Sequence, residues 1–228
     1  MAAPAPRITL YTLAPSQNAI RAELVLLEKG LEFDRVEVDL FAGEHRQPPL
    51  SEITPRGQVP TLVYDGGSGE IVVYESMAIA RFIDDLHPEP ALMPPVTEPL
   101  RRAEALMRIE EFQAKLDVKN VFGSVLFGRQ TREQLGERVD ALCAELPRWN
   151  AYVEGRAFLA GDPFTLADIA VFPLLMHFEV LGYDYASKTP ALAAYMDRCK
   201  QRPSVAASGW VDTFTDFARA REPEHVLA

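Results

Sequence analysis

The chain has 228 residues, 48% of them hydrophobic and 25% charged, enough for one large or two small globular domains with a real core. A formal net charge of -10 and a pI near 4.9 exclude a nucleic-acid footprint and an anionic membrane as partners, because phosphate binding needs clustered Lys and Arg. Two cysteines, Cys143 and Cys199, form no CxxC, and four scattered histidines form no HExxH, so neither a disulfide framework nor a metal centre is expected.

No run approaches the roughly 18 apolar residues of a membrane span. The start, MAAPAPRITLYTL, lacks an apolar core behind a basic segment, so a cytoplasmic chain is expected. From Arg7 to Leu13 the alternation around Ile8 and Leu10 predicts a strand. The period then changes, and Ile20, Leu24 and Leu27 predict a helix from Ser16 to Lys29, with Gly30 as its left-handed cap. Val36, Val38 and Leu40 alternate with charged residues as a second strand, and FAGEHRQPPLSEITPRG is irregular. VPTLVYD and EIVVYE, joined by GGSG, read as a hairpin, and SMAIARFIDDLHP as a helix stopped by Pro88.

Prolines at 88, 90, 94, 95 and 99 mark a boundary, giving domains 1–87 and 101–228 joined by a linker, 88–100. Everything beyond it reads as helical. Leu106, Ile109, Phe112 and Leu116 form one stripe, and Leu135 to Val153 a second, begun by a Thr131/Gln134 capping box and kinked at Pro147. In PFTLADIAVFPLLMHF, Thr165 is the predicted N-cap and Asp168 its reciprocal partner, with Phe164 and Ile169 as a hydrophobic staple.

The set RGQVP, YES and TLADIA, at these separations and split by a proline-rich linker, resembles the glutathione transferase family from about Arg7 to Pro203. The resemblance implies an α/β thioredoxin-like N-terminal domain (βαβ-ββα) that binds glutathione. It also implies an all-α C-terminal helical bundle holding the second substrate, and a cytoplasmic homodimer of the kind used in detoxification. Glutathione enters as a substrate, with no cofactor or metal.

The tripeptide carries two carboxylates and an amine, so it needs anion sites at both ends and a group that favours its thiolate. Glu75 and Ser76 open a helix, where free N–H groups and the dipole attract a carboxylate; Ser76 would hold the γ-glutamyl carboxylate and Glu75 the amine. Ser76 also fits a plain N-cap. In the family, the proline matching Pro60 is cis and turns the backbone of Val59 toward the cysteinyl backbone of glutathione, with Gln58 near the glycyl end. His45 matches a histidine that theta-like members place on the glycyl carboxylate.

Ser16 stands where serine-type, theta- and nu-like bacterial members keep the hydroxyl that donates to the glutathione sulfur; by itself PSQN is also good N-cap chemistry. Asn18 completes a Ser-x-Asn similar to the Thr-x-Asn of nu-class, disulfide-reducing members. No cysteine lies at 16–19, which disfavours omega- or thioredoxin-type exchange. Phe112 and Phe122 are the candidate electrophile-pocket residues, placed on one helix facing the N-terminal domain. The expected activity is conjugation of glutathione thiolate to a hydrophobic electrophile. The alternatives are disulfide or peroxide reduction at the same site and a non-enzymatic binding or assembly module. EKGLEF and ITPRGQVP are also similar to the bacterial β-etherases that cleave aryl ethers with glutathione.

Overall fold

The computed structural model describes residues 5–228; residues 1–4, part of the start read above as lacking a leader and of the first predicted domain, lie outside the described residues. The chain separates into two compact units, one ending at Pro90 and one beginning at Ala91.

The first unit runs β1 (Arg7–Thr12), α1 (Gln17–Glu28), β2 (Asp34–Glu37), a 3-10 turn (Glu44–Arg46), α2 (Leu50–Ile53), β3 (Thr61–Asp65), β4 (Glu70–Tyr74) and α3 (Ser76–Leu86). The four strands make one mixed sheet in the order β2-β1-β3-β4. β1 runs parallel to β2 and antiparallel to β3, and β3 is antiparallel to β4. This is the thioredoxin-like βαβ-ββα arrangement. α1 buries one continuous stretch from Ala19 to Leu26, and α3 buries Met77, Ile79, Ala80 and Ile83. Their far ends are pinned by a buried ion pair, Lys29 Nζ to Asp84 Oδ1 at 2.5 Å, with the Lys29 ammonium also donating to the Pro90 carbonyl.

β2 is shorter than its alternation predicts, ending at Glu37 although Val38 N still donates to Thr12 O. The cause is Asp39: its Oδ1 accepts from the backbone N–H groups of Phe41 and Ala42 and turns the chain out of the ladder.

The second unit is all helix: α4 (Pro99–Glu111), a π-helical turn (Phe112–Leu116), a 3-10 turn (Asp117–Lys119), α5 (Phe122–Leu126), α6 (Arg132–Leu135), α7 (Glu137–Cys143), α8 (Leu146–Val153), α9 (Leu166–Val180), α10 (Tyr185–Lys188), α11 (Pro190–Lys200), α12 (Pro203–Ser208) and α13 (Trp210–Arg219). α9 is buried from Leu166 to Phe178, as an all-round apolar helix must be. Its start is the predicted capping box. Thr165 accepts from Ala167 N, while Asp168, fully buried, accepts from the N–H groups of Thr165 (2.8 Å) and Leu159 (3.0 Å) and from the Thr165 hydroxyl.

Two helical expectations need correction. The single kinked helix predicted over Leu135–Val153 is three helices, because Gly136 takes φ +51 and ends α6, and Pro147, with no N–H to give, opens α8 instead of bending an existing helix. The stripe from Leu106 to Leu116 is interrupted where α4 opens into the π turn at Phe112.

Candidate active site

Register brings the first unit's predicted site residues to one edge of the sheet. Thr12, the last residue of β1, pairs with Glu37, the last of β2; Tyr11 pairs with Thr61, the first of β3; and Thr61 pairs with Tyr74, the last of β4. The turn carrying Ser16, the segment leading to His45, the Gln58-Val59-Pro60 turn and the Glu75-Ser76 helix start therefore all leave the sheet at the same edge. One parallel and two antiparallel pairings are needed for this, so no single spacing in the chain reveals it.

Ser16 is the N-cap of α1, with extended backbone (φ -80, ψ 121) and its Oγ accepting from Ala19 N at 3.3 Å. The turn before it closes through Ser16 N to Leu13 O at 2.9 Å, and Ala14 N donates to the Glu37 carboxylate at 3.3 Å. The cap uses an oxygen lone pair and leaves the hydroxyl proton for another acceptor. Asn18 is exposed; its Oδ1 accepts from the buried Arg21 guanidinium, so its amide NH2 is the end left to donate. Arg21 also donates to Gln17 Oε1 at 3.3 Å, which holds a positive charge one turn behind the cap.

Val59-Pro60 is cis, and Val59 lies just outside the ladder, whose pairing starts at Thr61. Gln58 is exposed, with its carbonyl accepting from the Thr61 hydroxyl at 2.8 Å. Gly57 explains how the His45 turn reaches this loop: at φ +54, a Cβ there would come within 2.5 Å of the His45 carbonyl oxygen. Only glycine permits that approach. His45 Nε2 accepts from Arg46 Nε at 3.2 Å, and its Nδ1 is buried without a hydrogen-bond partner among the described residues. One ring nitrogen is occupied and the other sealed. The exposed guanidinium of Arg46 is the cation this turn offers, and sequence reasoning missed it; the adjacent His-Arg pair was the available signal.

Glu75 is the N-cap residue of α3 and holds φ +69, ψ 116, a conformation that a non-glycine residue adopts only at a cost of about 1–3 kcal/mol. Ser76 is thus not the cap, as one reading of the sequence had it, but the first helical residue, and no side chain caps α3. Glu75 O still accepts from Ile79 N, so the helix begins properly while the N–H groups of its first turn point outward for an anion.

Phe112 and Phe122 are not on one helix: Phe112 opens the π turn and Phe122 opens α5. Phe112 has no exposed surface, and Phe122 stacks on the His177 ring at 3.8 Å between centroids. The stack continues through Phe214 to Trp210, joining α5, α9 and α13. An open cavity of about 500 Å³ in this unit, walled by Met176, Val180, Thr215, Arg219, Pro223 and His225 among others, includes neither phenylalanine.

Among the described residues no group of three or more His, Cys, Asp or Glu side chains is placed to hold a metal ion, and no helix is long and apolar enough to cross a membrane. Both thiols are held up in pKa, chiefly by burial.

A four-stranded mixed sheet with an uncapped helix start and a cis-proline turn at one end of its strands, followed by an all-helical unit, defines the thioredoxin-like class with an appended helical bundle. Residues 15–86 match the glutathione S-transferase N-terminal domain, and residues 118–203 the glutathione S-transferase C-terminal domain. Glutathione S-transferase 3 of Zea mays is 30% identical over 205 residues, spanning 86% of this chain and 90% of that protein. Protein LigF of Sphingobium sp. (strain NBRC 103272 / SYK-6) is 29% identical over 241 residues, spanning 87% and 91%. The solved structure of the β-etherase LigF from Sphingobium sp. strain SYK-6 matches with a TM-score of 0.76 at 25% identity, covering 88% of this chain and 98% of that one. The chain belongs to the glutathione S-transferase family.

Proposed function

We propose that the N-terminal unit binds glutathione and ionises its thiol at Ser16, and that the helical unit presents a hydrophobic electrophile to the resulting thiolate. The observation that carries this reading is the convergence, at one end of the strands, of the Ser16 hydroxyl, the Val59 backbone just outside the ladder and the uncapped N-terminus of α3. Each meets a different part of the tripeptide. The first-turn N–H groups of α3 and the Ser76 hydroxyl take the γ-glutamyl carboxylate, and Glu75 takes the amine. The Val59 backbone pairs with the cysteinyl unit as a one-residue strand addition. The His45-Arg46 turn, beside Gln58, faces the glycyl carboxylate through Arg46.

Lowering a thiol pKa from about 8.5 by about two units needs roughly 2.7 kcal/mol. A charge-assisted hydrogen bond from Ser16 supplies about 1.5–3 kcal/mol and the start of α1 about 0.3–1. The sulfur then forms a bond to an electrophilic carbon, and the displaced group leaves with its electron pair; no metal or redox cofactor takes part. Phe112 and Phe122 are packed in the core of the helical unit, so they support its fold and do not line an electrophile pocket. A homodimer working in the cytoplasm completes the reading.

The likeness to LigF favours a second version of the same chemistry, in which the carbon attacked carries an aryl ether and an aryloxide is the leaving group. The nu-like alternative uses the Asn18 amide beside Ser16 to reduce disulfides or peroxides.

The test is glutathione titration by calorimetry, with thiolate absorbance followed near neutral pH, on wild type and Ser16→Ala. Binding with thiolate formation is expected, and Ser16→Ala should cut turnover about 10- to 100-fold while leaving glutathione affinity within a few-fold. Turnover unchanged by Ser16→Ala would transfer the role to Asn18. No binding at millimolar glutathione would make the chain a binding or assembly module. Faster turnover of a disulfide than of an aryl halide or aryl ether would favour the reductase.

A further inference from the structure

We propose that Glu37 is a positioning residue for thiol activation, acting through the backbone of Ala14. The inference rests on the reading of Ser16 as the thiolate donor. Glu37 closes β2 opposite Thr12, and its Oε2 accepts from Ala14 N at 3.3 Å. That contact falls inside the four-residue turn from Leu13 to Ser16, whose own closure is the single hydrogen bond from Ser16 N to Leu13 O. Pro15 has no N–H, so of the two central residues of this turn Ala14 alone offers a backbone donor. With Glu37 in place the entry to the turn is held on either side of Leu13: Val38 N ties Thr12 O to β2, and the Glu37 carboxylate ties Ala14 to the same strand end.

The charges nearby show that this carboxylate is committed to the turn. Arg35, two residues earlier on the same face of β2, pairs with Glu23 of α1 and not with Glu37. Among the described residues Glu37 forms no ion pair, and Ala14 N is its hydrogen-bond donor. An exposed carboxylate left beside an arginine without pairing to it, and bonded to backbone in the turn behind a catalytic hydroxyl, orients that turn. A surface charge kept for solubility has no reason to take this bond.

The sign of the effect separates positioning from charge. Removing a negative charge near a thiolate favours the thiolate and lowers the thiol pKa. Loosening the turn misaims the Ser16 hydroxyl and raises it. Glu37→Gln keeps an acceptor for Ala14 N and loses only the charge; Glu37→Ala loses both. The experiment measures the pKa of enzyme-bound glutathione by thiolate absorbance across pH 5–9, with kcat and KM for conjugation, in wild type, Glu37→Ala, Glu37→Gln and Ser16→Ala.

Glu37→Ala should raise the bound-thiol pKa and lower kcat at pH 6.5 about two- to tenfold, with KM for glutathione within about twofold. Glu37→Gln should restore both, or carry the pKa below wild type. An unchanged or lowered pKa in Glu37→Ala overturns the inference, as does an equal rise in Glu37→Gln. Ser16→Ala marks which premise has failed. A rise there without one in Glu37→Ala removes only the role of Glu37, whereas no rise in Ser16→Ala removes the thiolate reading itself.

Discussion

The Ser16 hydroxyl has one proton and two lone pairs. Its lone pair already serves Ala19 N, at 3.3 Å, so capping and thiolate donation use opposite ends of one group. A plain cap residue and a thiol activator therefore have the same sequence signature, and the Ser16→Ala titration proposed above is what separates them. Arg46 illustrates the opposite case, a residue whose role comes from its neighbour. Its Nε donates to His45 Nε2, and the rest of its exposed guanidinium is left to solvent or a ligand. Arg46→Ala should raise KM for glutathione about two- to fivefold with kcat nearly unchanged, since an exposed ion pair is worth at most about 1 kcal/mol and binds ground and transition states alike. Steady-state kinetics at fixed electrophile measures this; a fall in kcat with constant KM would place Arg46 outside the glycyl end. His45 drew notice in the sequence because it matches a histidine that theta-like family members place on the glycyl carboxylate; in the fold its Nε2 accepts from Arg46 and its Nδ1 is buried without a partner among the described residues.

At the scale of elements, what the sequence made legible follows from whether a signal is local. The capping boxes at Thr131/Gln134 and Thr165/Asp168 need only three-residue spacing, and both form as predicted. The break at Gly136 was hidden because the stripe of Leu135, Val139, Leu142 and Leu146 continues in helical register across it, and a glycine inside an apolar stripe does not announce a left-handed φ. The early end of β2 was hidden likewise by alternation that outlasts the hydrogen bonding. Phe112 and Phe122 show the limit of composition: an aromatic on an amphipathic helix is core or pocket according to its neighbours, and here Phe122 is stacked on His177.

The cap of α9 has a measurable cost of removal. Asp168 accepts three hydrogen bonds while fully buried, so Asp168→Ala strands donors from Thr165 and Leu159 at about 1–3 kcal/mol each. A loss of about 3 kcal/mol or more in urea unfolding is expected, without change in the thiol pKa of bound glutathione in the protein that remains folded. A loss under about 1 kcal/mol would mean that α9 starts without its box.

For the whole molecule, acidity and stability are linked through two buried carboxyls that the net charge of -10 conceals. Burial pushes Glu23 up to about 7, against the pull of Arg35, and pushes Asp168 up to about 6, against its hydrogen bonds from Leu159 and Thr165. Unfolded, such groups titrate near 4.3 and 3.9. Between those values and the folded ones these two groups bind more protons in the folded chain than in the unfolded chain, so their contribution to stability falls as pH rises from about 4 to about 7, while His87, held down by burial, works the other way. This slope is opposite to that of a protein whose carboxylates are mainly ion-paired.

Glu23→Gln tests the larger part of it. At pH 5 the buried Glu23 is protonated and glutamine is nearly its isostere, so the variant and wild type should unfold at similar urea concentrations. At pH 8 the wild type carries a desolvated carboxylate that the variant lacks, and the exposed half of its partner Arg35 screens the compensating attraction. The variant should then be more stable by about 1–3 kcal/mol, a gain that grows through pH 6–7. Parallel stability curves for the two proteins from pH 5 to 8 would show instead that Glu23 ionises as readily in the fold as out of it, and that the Arg35 pair balances its burial.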